Sequence, residues 1–183
     1  MTVSVETMIE DVIRREGGFV DHPADRGGPT KFGITQAALS RQLGRPATRA
    51  EVEALGLEQA RQIYRRDYYC GPRIDRLPAR IQPFMFDSAV NHGPRRAIGF
   101  LQQVCNQAGF GQLAVDGVCG PNTLRAAHDA AIAMKAWLVA ALVEEQRAFY
   151  QATVEADPSQ AVFLEGWLNR LAEFDVPRER LVA

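Results

Sequence analysis

The stretch "RREGGFVDHPADRGGPTKFGIT", Arg14–Thr35, decides how this chain of 183 residues is read. Ahead of it, Val5, Met8, Ile9, Val12 and Ile13 recur at helical spacing and form one apolar face. Ser4 is placed to cap that helix, and Gly17-Gly18 to stop it. Beyond the stop, Asp, Gly and Pro dominate up to Gly33, and Phe19, Val20, Phe32 and Ile34 supply the large apolar residues. That mixture predicts a loop with a small β-hairpin over residues 18–34. Glu16 lies eleven residues after Val5, close to three full turns at about 100° per residue, so it is expected on the apolar face. A carboxyl group there loses hydration and lies by the negative end of the helix dipole, and both effects favour the proton-carrying form.

A proton donor set across from a second carboxylate is the arrangement that hydrolyses a glycosidic bond. Asp21 and Asp25 are the candidates for the second carboxylate, because a solvated glycine-rich loop can fold back over the helix end. Thr30 is placed to hold a water or a substrate hydroxyl. The same residues also fit a plainer account, with Glu16 as a helix-end surface residue and the aspartates as turn formers. The residues alone leave Asp21 and Asp25 open.

Helical patterning continues along the chain. Ala38, Leu39 and Leu43 stop at Gly44, and Thr48 with Glu51 forms a capping box. Ile63, Tyr64 and Tyr68 lead to a break at Cys70. Arg80–Pro94 reads as a helix with Pro83 near its start, and Ala97–Ala108 as a striped helix closed by Gly109. A long helical region follows from about Leu124 to Ala152, with a break near Ala130–Ala133. Asp157-Pro158 then opens a last helix, with Val162, Phe163, Trp167, Leu171 and Phe174 on its apolar face. The expected class is mainly α, with one small β element near the N-terminus.

A net charge of −1 gives no electrostatic footprint for nucleic acid or an anionic membrane. Cys70, Cys105 and Cys119 have neither metal-site spacing nor disulfide-scaffold density and are expected to be buried free thiols. The start lacks a signal-peptide pattern. "AAIAMKAWLVAALV", Ala130–Val143, is too short for a membrane span and carries Lys135, so a buried helix is expected. His22 with Asp21 and Asp25 lacks paired-His spacing, so no metal is expected. Asp87, Asn91 and His92 share one helix and are read as a cleft wall that hydrogen-bonds sugar. Ser88 and His92 sit four apart, but sequence places no orienting acid beside them. Tyr64, Tyr68, Tyr69, Trp137 and Trp167 suit either sugar stacking or the core, and the stripe assigns Trp167 to the core.

"EGGFVDHPADRGGPTKFGIT" resembles the N-terminal signature of glycoside hydrolase family 108, lysozyme-like N-acetylmuramidases of bacteria and phages. His22 intervenes where the usual motif reads Asn-Asp-Pro, and the family's catalytic glutamate falls on Glu16. "FMFDSAVNHGPRRAIGFLQQ" (Phe84–Gln103), "AVDGVCGPNTLRAA" (Ala114–Ala127) and "FLEGWLNRL" (Phe163–Leu171) resemble later blocks of the same family, the last two from its C-terminal predicted peptidoglycan-binding region. A second likeness is to phage-type lysozymes, whose Glu, Asp and Thr are separated by eight and five residues. Here Glu16, Asp25 and Thr30 are separated by eight and four, which favours Asp25 over Asp21.

The resemblance implies a two-lobe lysozyme-like fold, with a catalytic lobe at 1–93 and a helical C-terminal lobe at 94–183 forming one compact unit with it. It implies a hydrolase for the β-1,4 bond between N-acetylmuramic acid and N-acetylglucosamine, needing no cofactor. Glu16 is then the general acid, Asp25 positions water with Thr30, and Asp21, Asp87, Asn91 and His92 contact glycan. The partner is peptidoglycan, reached by a monomer made in the cytoplasm and released through a holin-type or other non-classical route. A wall-binding or secretion-accessory protein without activity, and a lytic transglycosylase, are the alternatives.

Overall fold

The computed structural model describes residues 3–21 and 28–181. The backbone divides into two compact units, Met1–Gly71 and Pro72–Ala183. The class is mainly α with one small antiparallel sheet near the N-terminus.

In the first unit, α1 (Val5–Glu16) starts at Ser4, whose hydroxyl accepts from the Thr7 N–H, and buries Met8, Ile9, Val12 and Ile13. Gly17 ends it at φ +73°, a backbone state that glycine adopts without steric cost. Strands β1 (Phe19–Val20), β2 (Thr30–Lys31) and β3 (Ile34–Thr35) follow in sheet order β1-β2-β3. Phe32 and Gly33 link β2 to β3 at φ +53° and +74°, the two-residue hairpin turn whose twist matches the strands. Helix α2 (Gln36–Leu43) is capped by Thr35 and closed by Gly44 in the left-handed region. Helix α3 (Arg49–Glu53) carries the expected Thr48–Glu51 capping box. Helix α4 (Leu57–Ile63) continues directly into a π-helical segment, Tyr64–Cys70, which no feature of the sequence announced.

The second unit holds α5 (Gln82–His92), α6 (Pro94–Gln107), α7 (Pro121–Met134), α8 (Trp137–Ala156), α9 (Ala161–Ala172) and the short α10 (Arg178–Leu181). Helices α5, α6 and α7 each have proline in the first turn, where its missing N–H costs no hydrogen bond. Helix α6 packs against α5, α7 and α8. Phe84, Phe86, Ile98, Leu101, Leu138 and Leu142 form the centre of this core. The α7–α8 break falls at Lys135 and Ala136, later than the sequence suggested, with Lys135 at φ +52°. Among the described residues no single helix is both long and apolar enough to cross a membrane; α7 and α8 meet both conditions only together, and a bend of 116° separates them.

Two expectations are corrected here. Cys70 is exposed, because it ends the π-helical segment, whereas Cys105 and Cys119 are buried and their thiols are pushed up to about 11 by burial. On α9 the covered stripe runs through Leu164, Trp167, Leu168 and Leu171, while Val162 and Phe163 are exposed. Trp167, Leu171 and Phe174 are covered as read, while in the first turn of the helix Leu164 takes the covered position in place of Val162 and Phe163.

The "DGVCGPNT" turn is built on Gln102 of α6, which is buried. Its Nε2 donates to Asp116 Oδ1 at 2.9 Å and to Val118 O at 3.1 Å, and its Oε1 accepts from Gly117 N at 2.9 Å. Gly117 sits at φ +71°, and a Cβ there would lie 2.3 Å from Arg95 O. Gly117→Ala is therefore expected to destabilise the chain by about 1–3 kcal/mol in urea unfolding.

Candidate active site

Glu16 is the last residue of α1, and its surroundings follow from how the chain turns after it. Gly17 N donates back to Ile13 O at 3.1 Å, and Gly17 O accepts from Phe32 N at 3.1 Å. The β2–β3 turn is thereby tied to the residue next to Glu16. A Cβ built on Gly33 would fall 2.8 Å from Glu16 Cγ and 3.1 Å from its Cβ, so the Glu16 stem lies directly over the bare glycine. The same point is 2.5 Å from the Tyr64 hydroxyl, which donates to Phe32 O at 2.8 Å. Tyr64 is 1% exposed.

Glu16 itself is exposed, which corrects its expected burial. It does continue the face of Ile9, Val12 and Ile13, but it is the last residue of the helix, where that face ends. The structure presents it as a carboxyl group on a tightly seated stem.

Thr30 is half-buried in β2, paired with Val20 on one side and Thr35 on the other, two residues before the turn that holds Glu16. Asp21, just after β1, receives Arg49 Nε at 2.5 Å. Arg49 also bonds Glu53 at 3.1 Å and covers the Phe19 ring at 5.2 Å. This ties Asp21 to α3. Asp25 and His22 lie outside the described residues.

The other candidates belong to the second unit. Asp87 is 5% exposed, and its carboxylate is gripped by Arg170 of α9, Nη2 to Oδ1 at 2.9 Å and Nε to Oδ2 at 3.1 Å. Asn91 Nδ2 donates to the same carboxylate at 3.0 Å, while Asn91 as a residue is exposed. Asp87 thus binds α5 to α9 inside this unit. His92 Nε2 lies 3.0 Å from the Tyr150 hydroxyl, with the rings of Phe100 and Phe149 set edge-on to the imidazole. Burial, aided by the nearby Arg96, lowers its pKa to about 4, so the imidazole is neutral at neutral pH. Ser88 is 1% exposed, and the His92 ring turns to Tyr150, which leaves the Ser88–His92 spacing without nucleophile geometry. Tyr64 and Tyr69 are buried, Trp137 is exposed and donates to Leu181 O, and Trp167 is half-buried and stacks on Tyr150 at 5.0 Å. Among the described residues no three His, Cys, Asp or Glu side chains cluster as a metal site requires.

Sequence reasoning missed Gly33 and Tyr64 as the groups beneath Glu16, and Arg170 as the partner of Asp87. Gly33 and Arg170 do stand in the motifs quoted above; nothing local marks Tyr64.

Residues 9–93 match the family model described as Glycosyl hydrolase 108, and residues 96–172 match one described as Predicted Peptidoglycan domain. The solved structure of Brucella abortus SagA is similar over 93% of this chain and 90% of that one, with 34% identity and a TM-score of 0.79. The chain belongs to the glycosyl hydrolase 108 family. No curated protein matches it. It is a glycoside hydrolase of peptidoglycan. In this hydrolase Glu16, Thr30, Tyr64 and Asp87 all fall in the first match, and Tyr150, Trp167 and Arg170 in the second.

Two outcomes are expected. Asp87→Ala removes the carboxylate that Arg170 grips with two hydrogen bonds and should cost about 3–5 kcal/mol in urea unfolding, while Asp87→Leu with Arg170→Met should recover most of that loss. The unfolded imidazole of His92 takes up its proton near pH 6.5, about the free value, and the folded one only near about 4. Between those values the unfolded chain binds more protons, so stability falls as pH falls through that window. His92→Gln should lose less thermal stability than the parent between pH 7 and 4.5; an equal loss would count against this assignment.

Proposed function

We propose that this hydrolase is an N-acetylmuramidase cleaving the β-1,4 bond between N-acetylmuramic acid and N-acetylglucosamine, with Glu16 as general acid. The observation that supports this reading is the seating of Glu16: a carboxyl group accessible to solvent, at a glycine-stopped helix end, with its stem over Gly33. A general acid must reach the leaving oxygen of a bound substrate, and an exposed residue on a fixed stem suits that task. Asp25 is assigned as the second carboxylate, positioning water with help from Thr30. Asp21 is the weaker choice because Arg49 engages its carboxylate. Water would attack from the face opposite the leaving group, giving inversion. Asn91, exposed on α5, is assigned to contact glycan, and Asp87 holds it by accepting its amide hydrogen bond.

The substrate is a peptidoglycan glycan strand, and two carboxylates carry the chemistry without a cofactor. The chain would act in the cell wall as a monomer, after holin-type or other non-classical release.

Digestion of purified peptidoglycan followed by mass spectrometry of the products tests this. The parent should release fragments with reducing N-acetylmuramic ends, and Glu16→Gln should cut the rate by about 10²–10⁴-fold without unfolding the chain. Reducing N-acetylglucosamine ends would assign the other glycosidic bond. Ends carrying 1,6-anhydromuramic acid would replace the hydrolase with a lytic transglycosylase, and sedimentation with the wall without any sugar release would leave a binding protein.

A further inference from the structure

The turn beneath Glu16 is held from both sides. Phe32 N donates to Gly17 O at 3.1 Å, and Phe32 O accepts from the Tyr64 hydroxyl at 2.8 Å. Phe32 itself sits at φ +53°, a conformation that a bulky residue keeps only where its surroundings impose it. The two-residue turn requires it, and these two hydrogen bonds hold the turn from either side. Tyr64 is buried, its ring meets Tyr68 at 5.5 Å, and it begins the π-helical segment Tyr64–Cys70. That helix form is rare and frequently marks functional sites.

We propose that Tyr64 is a positioning residue for Glu16, acting through the Phe32–Gly33 turn. The inference rests on Glu16 being the general acid. The hydroxyl fixes one side of the turn. The other side is bonded to Gly17, the covalent neighbour of Glu16, so a shift of the turn becomes a shift of the helix end. Gly33 closes the device: the Tyr64 hydroxyl and the Glu16 stem converge on the point where its Cβ would be. A general acid works over a heavy-atom distance of about 2.6–3.2 Å to the oxygen it protonates. Misplacing a reacting group by about 1 Å costs on the order of 100-fold.

Tyr64→Phe keeps the ring and removes the donor. Its kcat on soluble peptidoglycan fragments is expected to fall about 10–100-fold with KM unchanged. The alkaline limb of its kcat–pH profile, set by the acid's proton, is expected to move. In a Glu16→Gln background the same substitution should add no further loss, because the group it positions is gone. Gly33→Ala, which places a carbon against the Glu16 stem, is the second variant and carries the same test should Tyr64→Phe not fold. Parental kcat and pH profile in the folded variant would overturn the proposal, and so would an equal loss with and without Glu16. Full activity in Glu16→Gln alone would instead remove the general-acid assignment, a separate and distinguishable failure.

Discussion

At Gly33 there is no room for a carbon atom. The Glu16 stem, the Tyr64 hydroxyl and the β2–β3 turn close on one point, and each is held because the others are. With Phe32 in it, the left-handed turn is held by two hydrogen bonds, one to the Gly17 carbonyl and one from the Tyr64 hydroxyl. Those bonds reach the helix end through Gly17 and the π-helical segment through Tyr64. A short sheet of two-residue strands has little stability of its own. Here it serves as the spacer that brings a helix terminus and a buried tyrosine to opposite sides of one turn.

The second unit is organised around a charge it could not otherwise hold. Asp87 lies among Phe84, Phe86 and Ala89 on a helix buried nearly all round. A carboxylate in such a place is tolerable only with matched partners, and Arg170 supplies both prongs of its guanidinium while Asn91 adds an amide. His92 completes the end of α5 as a neutral ring bonded to Tyr150 and enclosed by aromatic edges. Two polar groups are thus kept in an apolar core by different means, one by a counter-charge and the other by remaining uncharged.

What could be read in the sequence was local. The stop at Gly17, the Thr48–Glu51 box, the proline starts and the Gly44 end each depend on residues within a turn of one another, and each is found. Periodicity named the face on which Glu16 lies but not how far along the helix that face is covered, so its burial was misjudged. The same limit applies to Val162 and Phe163, which share the period of Trp167 and Leu171 but stand in the first turn of their helix, where the face is uncovered. The partner of Asp87 lies 83 residues away, and no spacing rule connects them. The Tyr64 contact spans 32 residues and passes through a π-helical segment without a compositional signature. Family resemblance reached Gly33 and Arg170 as letters of a motif; geometry gives them their work.

The Asp87–Arg170 pair also bears on inheritance. The two family matches meet between residues 93 and 96, and read as sequence they are separable modules. Yet Asp87 stands in the first and Arg170 in the second, inside one compact unit. Recombination at the boundary would join a buried carboxylate to whatever the new partner offers at the position of Arg170. A partner without a guanidinium there would leave the pairing unmade, at a cost of about 3–5 kcal/mol. One ion pair thus ties the hydrolase segment of this chain to its peptidoglycan segment, and an exchange at their boundary has to bring a residue that matches Asp87.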